Sequence, residues 1–184
     1  MILRAFLVAL FLSPTALAGT LQADQSAGRL EFSAIQAGAK FTGAFTRFRV
    51  ALDFDPAHPG QGRLDVTVDV TSIDTQDPER DEVLRSADFF WVEKHPQAVF
   101  RAAGFERAGA RWRAAGELTI RGVTQAVPVT FTLAPAASDG PAVMQGGTTL
   151  SRLAFGLGQR DWASTGWVGD AVDVRFELEL RPTG

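Results

Sequence analysis

The chain has no cysteine, no tyrosine, two histidines and two methionines. Without cysteine there are no disulfides, so an exported form of this protein has to be held together by packing alone. His58 lies in AHPGQG and His95 in KHPQ, and neither has an HxH, HxxxH or HExxH partner that would set metal ligands on one face. Both read as solvated turn residues. GxSxG elbows and P-loops are also lacking. Asp74, Asp77, Asp81 and Asp88 lack the alternating spacing and central glycine of a calcium loop, and helix capping with solvation explains them more simply. Neither sign of charge dominates: 18 Lys and Arg stand against 21 Asp and Glu, well mixed along the chain. No basic stripe invites nucleic acid and no cationic patch marks a membrane-binding face. Metal-dependent, nucleophilic and nucleic-acid functions are all poorly supported.

Apolar runs are short too, and the first is informative. Arg4 precedes AFLVALFL (5–12), and Ala16-Leu17-Ala18 follows as a small-x-small site. A bilayer span needs roughly 20 apolar residues, so this pattern predicts a cleaved secretory signal over 1–18. The residue after the cut is Gly19 and not cysteine, so no lipid anchor is expected. A single soluble domain over 19–184 remains.

What the chain has in abundance is period-two alternation. In FRVALDFD, Phe48, Val50, Leu52 and Phe54 share a face opposite Arg47, Arg49 and Asp53. RLDVTVDV groups Leu64, Val66, Val68 and Val70, and RWRAAGELTI groups Trp112, Ala114, Gly116, Leu118 and Ile120. VPVTFTL aligns Val127, Val129, Phe131 and Leu133, and VDVRFELEL aligns Val172, Val174, Phe176, Leu178 and Leu180. Shorter strands fit Leu30–Ala34, Phe41–Phe45 and Ala98–Ala102, and a further one fits between Met144 and Phe155. Between Phe45 and Phe48 the apolar parity slips from odd to even, which a bulge near Thr46 would absorb. Turns are expected at HPGQG (58–62) and SDGP (138–141).

One helix start is legible. Asp77-Pro78-Glu79 offers an N-cap, a proline at the first helical position and an acid in the first turn, predicting a helix over about 78–86. About eight antiparallel strands with one apolar face each could form a sandwich or a barrel. With so little helix to cover a sheet, closure into an eight-stranded antiparallel barrel is the economical arrangement. A barrel of that size either fills with side chains or holds one ligand.

Fourteen phenylalanines and four tryptophans without one tyrosine hydroxyl fit a dry interior. Phe89-Phe90-Trp91 stands apart, because neighbours on a strand point to opposite faces. The three therefore mark either an irregular helix-to-strand corner or an apolar lip at a barrel mouth.

The order SIDTQDPERDEVLRSADFF, KHPQAVF and GELTIRGVTQAVPVTFTL resembles the YceI-like family of exported lipocalin-like proteins. LEFSA…KFTGAFTRF and LSRLAFGLG…VGDAVDVRFELEL resemble that family's first and last blocks, so the likeness spans nearly the whole chain after the signal. One departure is Glu82-Val83 ahead of Leu84, where many members carry a histidine or similar residue just before the leucine. The resemblance implies an all-β, eight-stranded lipocalin-like barrel with one short helix and an elongated apolar pocket. It also implies a long-chain amphiphile as ligand, notably a polyisoprenoid or isoprenoid quinone, with fatty amides as a variant.

Pocket candidates then follow from the inward faces. The first half of the chain supplies Phe32, Phe41, Phe45, Phe48, Val66 and Val68. The helix and its corner supply Leu84, Phe89 and Phe90, and the next two strands Phe100, Trp112, Leu118 and Ile120. Val129, Phe131, Phe155, Val174 and Phe176 complete the set. Arg80, Asp81, Asp161 and Trp162 are candidates for head-group contacts at the mouth.

The leading expectation is a periplasmic lipid-binding or carrier protein, with no catalytic residue, no metal and no cofactor beyond the bound lipid. It would touch a membrane transiently, and monomer and homodimer both stay open. The competing readings are a structural or interaction protein whose barrel is self-filled, and an enzyme on such lipids that would use His95.

Overall fold

In a computed structural model, residues 20–24, 27–134 and 140–182 are described. The expected signal segment lies outside them, as do residues 138 and 139 of the expected 138–141 turn. Eleven strand segments form one antiparallel sheet. They are β1 Thr20–Asp24, β2 Gly28–Gln36, β3 Ala39–Phe45, β4 Phe48–Asp53, β5 Arg63–Asp69 and β6 Ile73–Asp74. A helix, α1 Pro78–Arg85, precedes β7 Gln97–Ala108, β8 Arg111–Ile120, β9 Val123–Ala134, β10 Ala142–Ser151 and β11 Ala171–Pro182.

Eight strands were expected, and the register shows how eleven segments make eight. β1 pairs with β4 from Thr20 opposite Asp53 to Asp24 opposite Arg49. β2 pairs with β3 from Glu31 opposite Ala44 to Gln36 opposite Ala39. The two pairs are consecutive halves of one long, bent hairpin. β5 and β6 are likewise two halves of the next strand, facing β4 and β3 in turn. The ring then runs through β7, β8, β9, β10 and β11, and β11 pairs with both β2 and β1. The sheet thus curls back onto its own first strand as a lipocalin-like barrel.

Each interruption has a local cause. The parity slip at Thr46 is a two-residue gap between β3 and β4, bridged sideways and not bulged. There the Thr46 amide donates to the Ser72 carbonyl (3.2 Å), the Arg47 amide to Ser72 Oγ (3.0 Å) and the Asp69 amide to the Arg47 carbonyl (3.0 Å). Opposite it, a 3-10 turn over Val70–Ser72 breaks β5 from β6. Asp69 starts that turn: its Oδ1 accepts from the Thr71 amide (2.9 Å) and hydroxyl (2.6 Å), and its Oδ2 from Arg47 Nε (2.8 Å). A true bulge lies elsewhere, between Ala102 and Phe105 of β7. The strand expected between Met144 and Phe155 ends at Ser151, and Phe155 sits on a following 3-10 turn, Leu153–Phe155.

The helix forms where its capping signals predict. Asp77 Oδ1 accepts from the Arg80 amide at 3.1 Å, and Pro78 opens the first turn, where its missing N–H goes unneeded. Asp81 is buried on the inner side, its Oδ1 accepting from the Thr75 amide (2.9 Å) and hydroxyl (2.7 Å). That bond ties the helix to the end of β6.

The Asp69 knot gives a pH signature. Burial alone would raise its carboxyl, but the Thr71 hydroxyl, Arg47 and the Thr71 amide outweigh burial and hold it below the ordinary value. A carboxyl lowered in the folded state stabilises above its unfolded value of about 4, and that contribution fades as pH falls through the folded value. Asp69→Asn should therefore lower the melting temperature by about 2–4 °C at pH 7, for a loss of about 1 kcal/mol. Melting curves of the two proteins recorded down into strong acid should converge, and a gap that persists there would refute the linkage.

Candidate functional site

The barrel interior is divided along its axis. At one end Phe54, Phe105, Trp112 and Phe131 pack edge to face: Phe54 lies 5.4 Å from Phe105, 4.9 Å from Trp112 and 6.3 Å from Phe131, and Phe105 lies 5.6 Å from Phe131. Phe131 and Leu180 are 0% exposed, and Phe54 is 1% exposed. This end is self-filled.

At the other end the side chains leave a cavity of about 200 Å³. All but two of the sequence-predicted candidates line it. β2, β3 and β4 contribute Phe32, Phe41, Phe45 and Phe48, and β5 contributes Val66 and Val68. Leu84 of α1 stands beside Phe89 and Phe90 of the corner. Phe100, Leu118, Ile120 and Val129 come from β7, β8 and β9. Phe155, Val174 and Phe176 close the ring. The two exceptions are Trp112 and Phe131, which belong to the plug. They face inward as the alternation requires, but alternation reports a face and not a height along the axis.

Three of these phenylalanines lie flat over a glycine, and Phe176 over Gly146 of β10 is one of them. A Cβ on Gly43, which is opposite Phe32 on β3, would collide with the Phe32 ring, and one on Gly116 would collide with Phe100. Each ring therefore lies across a neighbouring strand and does not project into the lumen.

The wall is apolar apart from Thr148 and Arg152, and both are already bonded. Thr148 Oγ1 donates to the Pro128 carbonyl at 2.8 Å. Arg152 was not among the candidates, although it is 4% exposed and lines the cavity. Its Nε donates to the Gly169 carbonyl (3.0 Å), Nη1 to Leu157 (2.8 Å), and Nη2 to Trp162 (2.8 Å) and Val168 (2.9 Å). Burial pushes this guanidinium below its ordinary value, and Asp170 partly offsets that. Arg152 organises the loop that roofs the tunnel. Sequence shows an arginine between Ser151 and Leu153, but not that five carbonyls, Ser164 included, converge on it.

The corner Phe89-Phe90-Trp91 joins helix to strand through turns, and the left-handed Trp91 (φ 47°) redirects the chain. Phe89 is buried against Trp162 (5.6 Å) and Phe90 stands 6.0 Å from Phe45, while Trp91 turns outward beneath Lys94 Nζ (4.5 Å). Of the two alternatives, the structure shows the irregular corner, with Phe89 and Phe90 lining the cavity. Arg121, left-handed in the β8–β9 turn, ties it to the roof: its Nη1 donates to the carbonyls of Phe89 (3.1 Å) and Gly156 (2.7 Å).

The remaining polar candidates have other duties. His95 packs edge-on against Trp91 at 5.9 Å, and His58 Nδ1 lies 2.8 Å from Asp55 Oδ2. Arg80 stacks over Phe41 (4.6 Å) and donates to Gln36, and Asp81 is the buried acceptor described above, not a mouth residue. Trp162 packs inward on Phe89, whereas Asp161 is exposed.

Residues 21–180 match the YceI-like domain. The chain belongs to the YceI-like family. A UPF0312 protein of Pectobacterium carotovorum subsp. carotovorum is 41% identical over 85 residues, which cover 46% of this chain and 44% of the relative. Protein YceI of Escherichia coli O157:H7 is 40% identical over 89 residues, 48% of this chain and 46% of the relative. The matched stretches span less than half the length of these curated relatives. Among solved structures, Burkholderia cenocepacia BcnA superposes with a TM-score of 0.81 at 29% identity, covering 86% of this chain and 99% of that one. The Campylobacter jejuni YCEI protein gives 0.67 at 25% identity over 77% and 84%. A polyisoprenoid binding domain from Saccharophagus degradans gives 0.67 at 11% identity over 90% and 99%, a likeness of fold alone. Both the family and the barrel expected from the sequence are borne out.

The division into plug and tunnel has a measurable consequence. Phe131→Ala should cost about 3–5 kcal/mol, because the rings around it cannot close the gap. Phe90→Ala, on a wall that already faces empty space, should cost less than half of that. Denaturant midpoints of the two variants check the order, and equal losses would contradict the division.

Proposed function

We propose that this YceI-like protein is a periplasmic binding or carrier protein, and not an enzyme, for one long-chain amphiphilic lipid of the polyisoprenoid or isoprenoid-quinone type. The observation that carries the reading is the tunnel wall: apolar but for Thr148 and Arg152, whose side chains are already engaged by backbone carbonyls. Such a wall has nothing to offer a polar ligand and a good deal to offer hydrocarbon. Each buried methylene contributes about 0.8 kcal/mol, so one isoprene unit contributes on the order of 3 kcal/mol before ordering costs. A few units suffice for tight binding without a single new hydrogen bond. The polar head then stays outside the tunnel. The Saccharophagus domain, described as polyisoprenoid binding, shares this fold and agrees with the reading.

Membrane contact fits the same reading. Ile35 (42% exposed), Trp167 (56%) and Leu153 (37%) are the large exposed apolar side chains among the described residues. Ile35 and Trp167 lie on neighbouring segments joined by the Gly169 amide to the Ile35 carbonyl (2.9 Å) and the Ala37 amide to the Trp167 carbonyl (2.8 Å). Val168, between them, lines the tunnel. An exposed tryptophan beside a lipid cavity suits brief docking at a membrane surface during exchange.

Organic extraction of protein purified from its native host, followed by mass spectrometry, should yield a long-chain isoprenoid lipid. Phe89→Ala should weaken its retention and His95→Ala should leave it intact. A barrel that is empty and takes up neither isoprenoids nor quinones would overturn the proposal. Export is checked separately by the mature N-terminus, expected at Gly19.

A further inference from the structure

The barrel wall has one seam that the rest of its ladder does not share. β9 and β10 pair from Ala134 opposite Val143 to Thr130 opposite Gly147, and among the described residues the pairing stops there. Both strands nevertheless continue: β9 stays paired with β8 down to Val123, and β10 stays paired with β11 up to Ser151. For the half of the barrel that holds the tunnel, these two neighbours run side by side without a backbone ladder.

Pro128 explains where the ladder ends. It sits two residues beyond the last paired position, Thr130, and has no N–H to donate. Its carbonyl faces β10, where it is taken by the Thr148 hydroxyl at 2.8 Å. A residue in a strand points its N–H and C=O to the same edge, so the missing donor faces β10 as well. One side-chain hydroxyl thus does what a continuous ladder does elsewhere. A second tie lies at the end of the seam, where Gln125 Nε2 donates to the Ala154 carbonyl at 3.0 Å.

Open space lies on both sides of the wall at this seam. A groove on the outer surface is bordered by Pro128, Thr130, Gly147 and Thr149, with Arg113 and Arg175 on its rim. Thr148, Val174 and Phe176 line both this outer groove and the inner tunnel. By contrast, the tunnel's two ends are heavily held: one by the four-ring plug, the other by a roof bonded through Arg152 and Arg121.

We propose that the β9–β10 seam is a lateral slot through which the hydrocarbon chain of the lipid passes between the outer groove and the tunnel, with Thr148 and Pro128 as its latch. This rests on the lipid-binding reading above. Sideways entry lets the apolar chain slip in while its polar head stays in the wet, charged groove, so no head group has to be drawn through a wall without free polar partners.

The absence of native cysteine makes the test clean. A Pro128→Cys/Thr149→Cys double variant places thiols on the outer faces of both strands, away from the tunnel lining. Its disulfide is confirmed by loss of free thiol. The control, Arg101→Cys/Glu117→Cys, spans a paired position of the unbroken β7–β8 ladder. The probe is a geranylgeranyl chain with a small fluorophore at its polar end. Oxidising the seam pair should slow both uptake and release about tenfold or more with little change in their ratio, since closing a gate alters rates and not the end states. Oxidising the control should change neither. Independently of any disulfide, Thr148→Val should speed release several-fold. Rates that ignore both the seam disulfide and Thr148→Val, with the probe still bound, would overturn the slot and leave the binding function standing. A probe that binds neither the unaltered protein nor the reduced variants would overturn the binding function, and the slot with it.

Discussion

Phe54 sits at the centre of four interlocked aromatic rings, and the rest of the interior depends on that cluster. A closed eight-stranded barrel has too little lumen to leave empty along its whole length and too much to fill with valines alone. Concentrating the large rings at one end satisfies the packing demand there. The opposite half is then free to be lined by valine, alanine, leucine and flattened phenylalanine around open space. Plug and tunnel are two consequences of one distribution of side-chain volume.

The tunnel half lacks a packed centre and is held from its rim. Arg152 and Arg121 are the main devices: Arg152 gathers several carbonyls of the loop that follows it, and Arg121 joins carbonyls of two segments far apart in sequence. A buried guanidinium with five donors suits a roof made of irregular chain, whose carbonyls have no sheet partner. Between the bonded roof and the plug, the stretch of β9 and β10 beyond Thr130 and Gly147 is the part of the wall held by side-chain bonds in place of a backbone ladder. Binding and exchange would then use different parts of one barrel.

Much of this was legible in the sequence, for identifiable reasons. Period-two alternation reports which face a residue takes, so nearly every candidate from Phe32 to Phe176 lies inside. Asp77-Pro78 announced the helix because capping is local chemistry. The parity slip at Thr46 was visible as a slip, but not its form, since the break is made by bonds to Ser72 and Asp69 more than twenty residues away. Trp112 and Phe131 were assigned to the pocket wall because height along the barrel axis leaves no mark on periodicity. The roles of Thr148 and Arg152 are not legible in the sequence, because they depend on which carbonyls the fold brings to them.

The central claim is that the hollow half accommodates hydrocarbon along its length and ends at the aromatic plug. Affinity measured across a series of lipids that share a head group and differ only in chain length tests it most directly. Affinity should rise about tenfold for every two added methylenes while the chain still fits. It should then level off once the chain meets the ring of Phe54 and its neighbours. An affinity indifferent to chain length from the start would contradict the account.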